Sequence, residues 1–174
     1  MDIRKEVGAV EQEVIQLRRD FHRHPELGFR EFRTAGIIRD YLEALNLDEV
    51  LSCSGTGVIG ILRGGISGKT VMLRADIDAL PLTEDSGEPF SSETPGVAHA
   101  CGHDGHTAML LGEAKIWAAH RDEIPGTLVF LFQPNEEDAG AQVMIDDGAL
   151  KMAGNPEAVF GCHLKHNSPI GTIS

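Results

Sequence analysis

Four groups of side chains in this sequence carry the donor types from which metal and hydrolytic sites are built. They are Asp76-Ile77-Asp78, the run 99–106 with His99, Cys101, His103, Asp104 and His106, the adjacent pair Glu136-Glu137, and His163. Thiolate, imidazole and carboxylate together are the ligand set of zinc and its first-row neighbours. Cys101 and His103, two residues apart, can face one cation if the chain between them is extended. Cys-x-His alone is a weak signal, and the paired acids strengthen it. One carboxylate can hold a metal while its neighbour, aimed elsewhere, stays free to take a proton from water. The same donors support a different chemistry, with Cys101 as nucleophile and His103 or His163 as its base. In that scheme the paired glutamates have no obvious job.

Taken singly, each group has a plainer reading. Histidines ahead of a helix often bond locally. Cys53, Cys162 and, by itself, Cys101 read as small packing residues. Asp76 and Asp78 can cap a turn, or Asp76 can pair with Arg74, and Glu136-Glu137 can be solvated acids. His120 and His166 read as surface residues and are set aside. Position weighs against these readings. Each chemically suggestive group follows a predicted strand or opens a predicted helix, and in open α/β sheets ligands collect beyond the carboxyl ends of the strands.

The elements that must position these groups are read from periodicity. Val7, Val10, Val14, Leu17 and Phe21 form one apolar stripe at steps of three and four, predicting a first helix that ends before Pro25. A second stripe runs through Ile37, Ile38, Tyr41, Leu42 and Leu45, with Thr34 as its expected N-cap and Asn46 closing it. Short apolar segments at 58–62, 71–75, 128–132 and 158–162 predict buried strands. Helices are predicted at 106–119 and at 139–147, the latter stopped by Gly148. Segments 64–68 and 84–96 read as loops from their Gly, Ser, Pro and acidic content. The order ααββαβαβ predicts an α/β fold with mixed or parallel pairing, and the adjacent strands 58–62 and 71–75 suggest an antiparallel hairpin.

Composition narrows the partners. The 174 residues carry 15 Lys+Arg against 27 Asp+Glu, a formal net charge of −12, so the long-range field repels nucleic acid and anionic membrane surfaces. No apolar run reaches the roughly 20 residues needed to span a bilayer. Met1-Asp2-Ile3-Arg4-Lys5-Glu6 lacks the apolar core of a signal peptide. With three widely spaced cysteines, a reduced, cytoplasmic setting is expected.

Five ordered motifs resemble the successive signatures of a known family. They are Arg19-Asp20-Phe21-His22-Arg23-His24-Pro25-Glu26-Leu27-Gly28-Phe29, Leu73-Arg74-Ala75-Asp76-Ile77-Asp78-Ala79-Leu80-Pro81, His99-Ala100-Cys101-Gly102-His103-Asp104-Gly105-His106, Phe132-Gln133-Pro134-Asn135-Glu136-Glu137 and Phe160-Gly161-Cys162-His163. The family is the amidohydrolase branch of the metallo-aminoacylase and carboxypeptidase superfamily, which includes hippurate hydrolases, N-acyl-L-amino acid amidohydrolases and auxin-conjugate hydrolases. The resemblance implies a three-layer zinc-peptidase-like α/β catalytic domain with a mixed sheet, holding two divalent cations (zinc, manganese, cobalt or nickel). By motif position, Cys101, His103, Glu137 and His163 correspond to metal ligands and Glu136 to the general base. Asp78 corresponds to the acid that orients a ligand or tunes the site. The first motif, with His24 and Glu26, reads as structural, since helix termination at Pro25 explains much of it. The implied reaction is hydrolysis of an N-acyl amino acid.

The family pattern continues past Ser174, through a lid or dimerisation domain and back into the catalytic sheet. On this resemblance, residues 1–174 read as the N-terminal part of the catalytic domain, with no second domain, and a further ligating His and the substrate-carboxylate groups are expected in the remainder. Two readings therefore stand side by side: a metal-dependent amidohydrolase acting on a small N-acyl amino acid or peptide-like substrate, or a metal-binding but inactive module that associates with itself or another chain. Self-association would cover an edge strand that a partial sheet exposes. The chain departs from its relatives after Glu137, with Asp138-Ala139-Gly140-Ala141 in place of a glycine-rich stretch. It departs again after His163, with Leu164-Lys165-His166-Asn167-Ser168.

Overall fold

The structure, a computed structural model, describes residues 1–165, 169 and 171–172. His166 lies outside the described residues. Two helices come first, α1 (Ile3–Arg23) and α2 (Phe32–Ala44), followed by strands β1 (Glu49–Cys53), β2 (Gly57–Arg63) and β3 (Ile66–Asp76). Helix α3 (His103–Ala119), strand β4 (Pro125–Gln133), the short helices α4 (Gly140–Asp146) and α5 (Ala149–Met152), and strand β5 (Ala158–Gly161) complete the order. Among the described residues no helix is long and apolar enough to cross a membrane.

The sheet is mixed and runs β1-β2-β4-β3-β5. The expected hairpin between the second and third strands does not form. Strand β2 pairs antiparallel with β1 and β4, while β3 pairs parallel with β4 and β5. Both edges of β2 are taken, one by β4, which inserts between β2 and β3, and the other by β1, which the sequence reading passed over: Glu49–Cys53 is half-buried and forms the hairpin with β2 across Ser54-Gly55-Thr56. Segment 64–68 is only partly a loop, because β3 already starts at Ile66, opposite Pro125.

Period-two alternation lets the strands feed two cores. Val58, Leu62, Phe130, Phe132 and Ala75 point to the layer of α1, α2 and α3. Ile59, Ile61, Val129, Leu131 and Met72 point the other way, with Met144, Ala149 and Ala153 of the α4–α5 region. Strand interiors apolar on both faces are what a three-layer α/β arrangement requires.

The crossovers create the crevice. The link from β3 to β4 carries α3 on one face, whereas the link from β4 to β5 carries α4 and α5 on the other. The carboxyl ends of adjacent β3 and β4 therefore diverge into connections on opposite faces, and that is where an open sheet leaves room for a ligand.

Two helix starts differ from expectation. Helix α2 begins at Phe32 rather than after Thr34, and its orphan amides of Arg33 and Thr34 donate to the Glu26 carboxylate at 3.0 and 2.8 Å. A tertiary carboxylate thus does the work assigned to the local hydroxyl. Helix α3 begins one turn early because Gly102, at φ +89°, swings the chain directly from Cys101 into the helix. Asn46, at φ +55°, does close α2. Cys53 packs in the core as expected, but Cys162 is exposed, since β5 is an edge strand.

Phe130 is fully buried on the central strand β4. Phe130→Ala should lower the unfolding free energy by about 3–5 kcal/mol. Urea denaturation followed by circular dichroism checks this, and a loss of less than about 1 kcal/mol would contradict the packing.

Candidate metal centre

His103 opens α3 at the floor of the crevice with its side chain fully buried. Its Nδ1–H donates to the backbone carbonyl of Asp78 at 2.9 Å, with Asp78 Oδ1 at 3.2 Å. A carbonyl can only accept, so in the neutral ring Nε2 carries a lone pair. That atom is buried without a hydrogen-bond partner. It faces Asp76 Oδ2 at 3.8 Å, Glu136 Oε2 at 3.7 Å and Glu137 Oε1 at 3.9 Å. A lone pair turned towards three carboxylates is an arrangement that a cation resolves.

The electrostatics agree. Burial opposes charge on His103, but Asp78, Asp76 and Glu136 outweigh it and hold its pKa above the ordinary value. Burial likewise raises the carboxyls of Asp76 and Asp78. Hydrogen bonds and charge from the histidines reverse that, and both end below the usual range. Asp78 serves two elements at once, because its Oδ2 also accepts the backbone N–H of Glu137 at 3.2 Å.

The rim is more open. Cys101 Sγ and His163 Nε2 lie 3.7 Å apart, and His163 Nδ1–H donates to the Leu164 carbonyl at 2.7 Å. Burial, then the Glu137 carboxylate, push the Cys101 thiol up to about 11. Glu136 and Glu137 keep about a third of their side-chain surface in solvent, at 35% and 34%. One ligand atom from each of Cys101, His103 and Glu137 lies within 4.8 Å of the others, as do atoms of Asp76, His103, His106 and His163. His103 Nε2 belongs to both groups and can serve one cation, while the other N, O and S donors are of the types that hold a second divalent cation.

All six residues singled out for site roles thus meet at the carboxyl ends of β3, β4 and β5 or at the start of α3: Asp78, Cys101, His103, Glu136, Glu137 and His163. The structure adds others. His106 donates through Nδ1 to Asp76 Oδ1 at 2.6 Å and accepts the Leu164 N–H at Nε2 at 2.8 Å, so it ties β3 to the segment after His163. The i, i+3 spacing of His103 and His106 was the available signal. Asp76 also pairs with Arg74 at 2.8 Å, as the sequence allowed.

Behind the floor, His22 donates to Asp104 at 2.7 Å and to Glu84 at 3.1 Å. Asp104 above all keeps the His22 pKa above its ordinary value. Asp104 also accepts from Arg18 at 3.1 Å. His99, packed beside His22, is kept neutral by burial, with a pKa of about 4. No spacing in the sequence links these residues.

The fold and its donors define an α/β domain with a candidate site for divalent cations. Comparison with known proteins names the group: residues 72–174 match the model of peptidase family M20/M25/M40. The chain belongs to that family. It is 44% identical over 168 residues to an N-acetylcysteine deacetylase of Bacillus subtilis (strain 168), covering 95% of this chain and 43% of that protein. It is 44% identical over 165 residues to an N-acyl-L-amino acid amidohydrolase of Geobacillus stearothermophilus, covering 94% and 44%. The crystal structure of the Bacillus subtilis YXEP protein, described as a dinuclear metal binding peptidase, superposes with a TM-score of 0.88 at 42% identity, over 94% of this chain and 45% of that one. The chain therefore spans less than half the length of these relatives.

Glu84 supplies a pH test of the support behind the floor. Burial raises its carboxyl, but donors from Ser86, Ser92 and His22 outweigh burial and bring it down to about 2. A depressed folded-state pKa adds stability above the unfolded value, and that stability is lost as pH falls towards the folded one. Glu84→Gln should be less stable than wild type at neutral pH, the gap closing between about pH 5 and pH 2. Urea midpoints across that range check the trend, and a constant gap would refute it.

Proposed function

We propose that this chain carries the metal centre of a hydrolase acting on the amide bond of N-acyl amino acids. In this reading residues 1–174 are the N-terminal part of the catalytic domain, in a cytoplasmic protein that uses a small-molecule substrate rather than a nucleic acid or a membrane. The observation that carries the reading is the buried, partnerless Nε2 of His103 facing Asp76, Glu136 and Glu137. The relatives named as an N-acetylcysteine deacetylase and an N-acyl-L-amino acid amidohydrolase support the substrate class. Cys101, His103, Glu137 and His163 would hold two divalent cations drawn from zinc, manganese, cobalt and nickel, the metals that accept this mixed donor set.

Bound there, the cations supply Lewis acidity for an amide carbonyl and acidify nearby water. The protein's own groups do the rest. Glu136, beside His103 yet open to solvent, takes a proton from the water that adds to the carbonyl carbon. As the C–N bond breaks, it returns that proton to the departing amine. Asp78 fixes the His103 ring through Nδ1 and steadies the Glu137 backbone, so two ligands share one anchor.

One observation favours a second reading, in which the chain binds metal without turnover and associates with itself or another chain. Val159 and Phe160 lie exposed on the edge strand β5. Metal content by mass spectrometry, together with amine release from hippurate or an N-acetyl amino acid, separates the two. Turnover with bound metal supports the hydrolase, bound metal without turnover supports the module, and a metal-free protein in metal-supplemented buffer defeats both.

If the hydrolase reading holds, Glu136→Ala should retain metal while turnover falls about a hundred- to ten-thousand-fold. Cys101→Ala should lose metal. Occupancy should also fall as pH drops, because protons compete for the thiolate and imidazole donors. A Glu136 variant with undiminished rate would overturn its assignment.

A further inference from the structure

The first sequence motif runs into the link between α1 and α2, and it reaches the metal centre from outside. Ala79, next to Asp78, donates its N–H to the Glu26 carbonyl at 2.9 Å, and Leu27 bridges Ala79. A few residues on, the Glu31 carboxylate is fully buried, with 0% exposure. Its Oε2 accepts from Thr56 Oγ1 at 2.6 Å and its Oε1 accepts the backbone N–H of Asn135 at 3.0 Å. Burying a carboxylate is costly unless donors compensate. Burial does raise this group's pKa, against those donors. Such a group is worth asking what it holds.

It holds the residue on which the glutamate turn is knotted. Asn135 sits in the left-handed region at φ +50°, immediately before the 3-10 turn Glu136–Asp138. Its carbonyl accepts from the N–H groups of Asp138 and Gly140 at 3.2 and 2.8 Å. Its side-chain amide donates to the Asp138 carbonyl at 2.7 Å. The remaining backbone group, the N–H, goes to Glu31. The approach is close: a Cβ on Gly28 would lie 1.9 Å from Asn135 Oδ1, so only glycine leaves room for the Asn135 side chain. Asp78 holds the same turn through the Glu137 N–H.

We propose that Glu31 is a positioning residue that, together with Gly28, clamps Asn135 and so aims Glu136 and Glu137 at His103. The aim matters catalytically only if the metallohydrolase reading above is correct, whereas the clamp itself can be tested without metal.

The test compares Glu31→Ala and Glu31→Gln with wild type by amide hydrogen exchange and by cobalt(II) titration followed in the visible spectrum. An amide oxygen can still accept from Asn135, and the Thr56 hydroxyl can rotate to accept from the new NH₂, so Glu31→Gln should behave as wild type within about threefold. Glu31→Ala should speed exchange of the Asn135 and Glu137 amides about tenfold or more, with the β2 and β4 amides unchanged. It should also weaken cobalt binding about tenfold to a hundredfold. Wild-type exchange in the turn of a folded Glu31→Ala protein overturns the proposal, as does failure of Glu31→Gln to restore it. If Glu31→Ala does not fold, wild type decides: an Asn135 amide as slow as those of β4 supports the clamp, and one exchanging like an open loop amide overturns it. If wild type binds no cobalt, the hydrolase reading falls while the exchange result still decides the clamp.

Discussion

The organising constraint is the crowding of carboxylates around one imidazole. Asp76, Asp78, Glu136 and Glu137 converge on His103 from two strand ends. Like charges at these separations repel by amounts that matter wherever water is excluded. Every polar contact nearby can be read as an answer to that repulsion. Arg74 pairs with Asp76 and His106 donates to it, His103 engages Asp78, and the Glu137 backbone N–H is turned towards Asp78 rather than away. Positive charge is still in deficit at the mouth, where Glu136 and Glu137 lie, and such a field attracts cations.

The sheet explains why the crowd forms here. Parallel β3 and β4 end in register, Asp76 opposite Gln133, so the residues beyond them emerge side by side. Their continuations then leave on opposite faces, and the gap between them is filled by the start of α3. His103, delivered by the turn at Gly102, enters that gap from below. His163 follows β5 on the far side of β3. Topology alone thus gathers the four polar groups, and side-chain bonds only refine their aim.

Much of this was legible in the sequence, for identifiable reasons. The strands 58–62, 71–75 and 128–132 are apolar on both faces, and that is the mark of a sheet covered on both sides. The position of every donor group just past a strand or ahead of a helix pointed to one crevice before any coordinates. What stayed hidden depends on long-range partners. Glu49–Cys53 has too mixed a pattern to stand out as a strand, yet it takes one edge of β2 while β4 takes the other, and β2 and β3 do not pair. Thr34 has the chemistry of a cap, but a carboxylate from Glu26 arrives first. His22 and Asp104 are 82 residues apart, and no local rule brings them to 2.7 Å.

Several of these acids share a role. Glu26, Glu31 and Asp76 spend both oxygens on backbone amides, hydroxyls, imidazoles or guanidinium groups, and Asp104 spends Oδ2 on Arg18 and His22. Each therefore acts as a strut, whereas Glu136 and Glu137 stand at the mouth with about a third of their side-chain surface in solvent. A chain of net charge −12 divides its acids between these two roles by burial and by the number of donors supplied. Cys101 makes the same point from the opposite direction. Its proton, held by burial and by Glu137, keeps a further negative charge out of the crowd. A cation bringing two positive charges would release that proton and turn the thiol into a ligand, so the site's charge balance and its metal binding are one equilibrium.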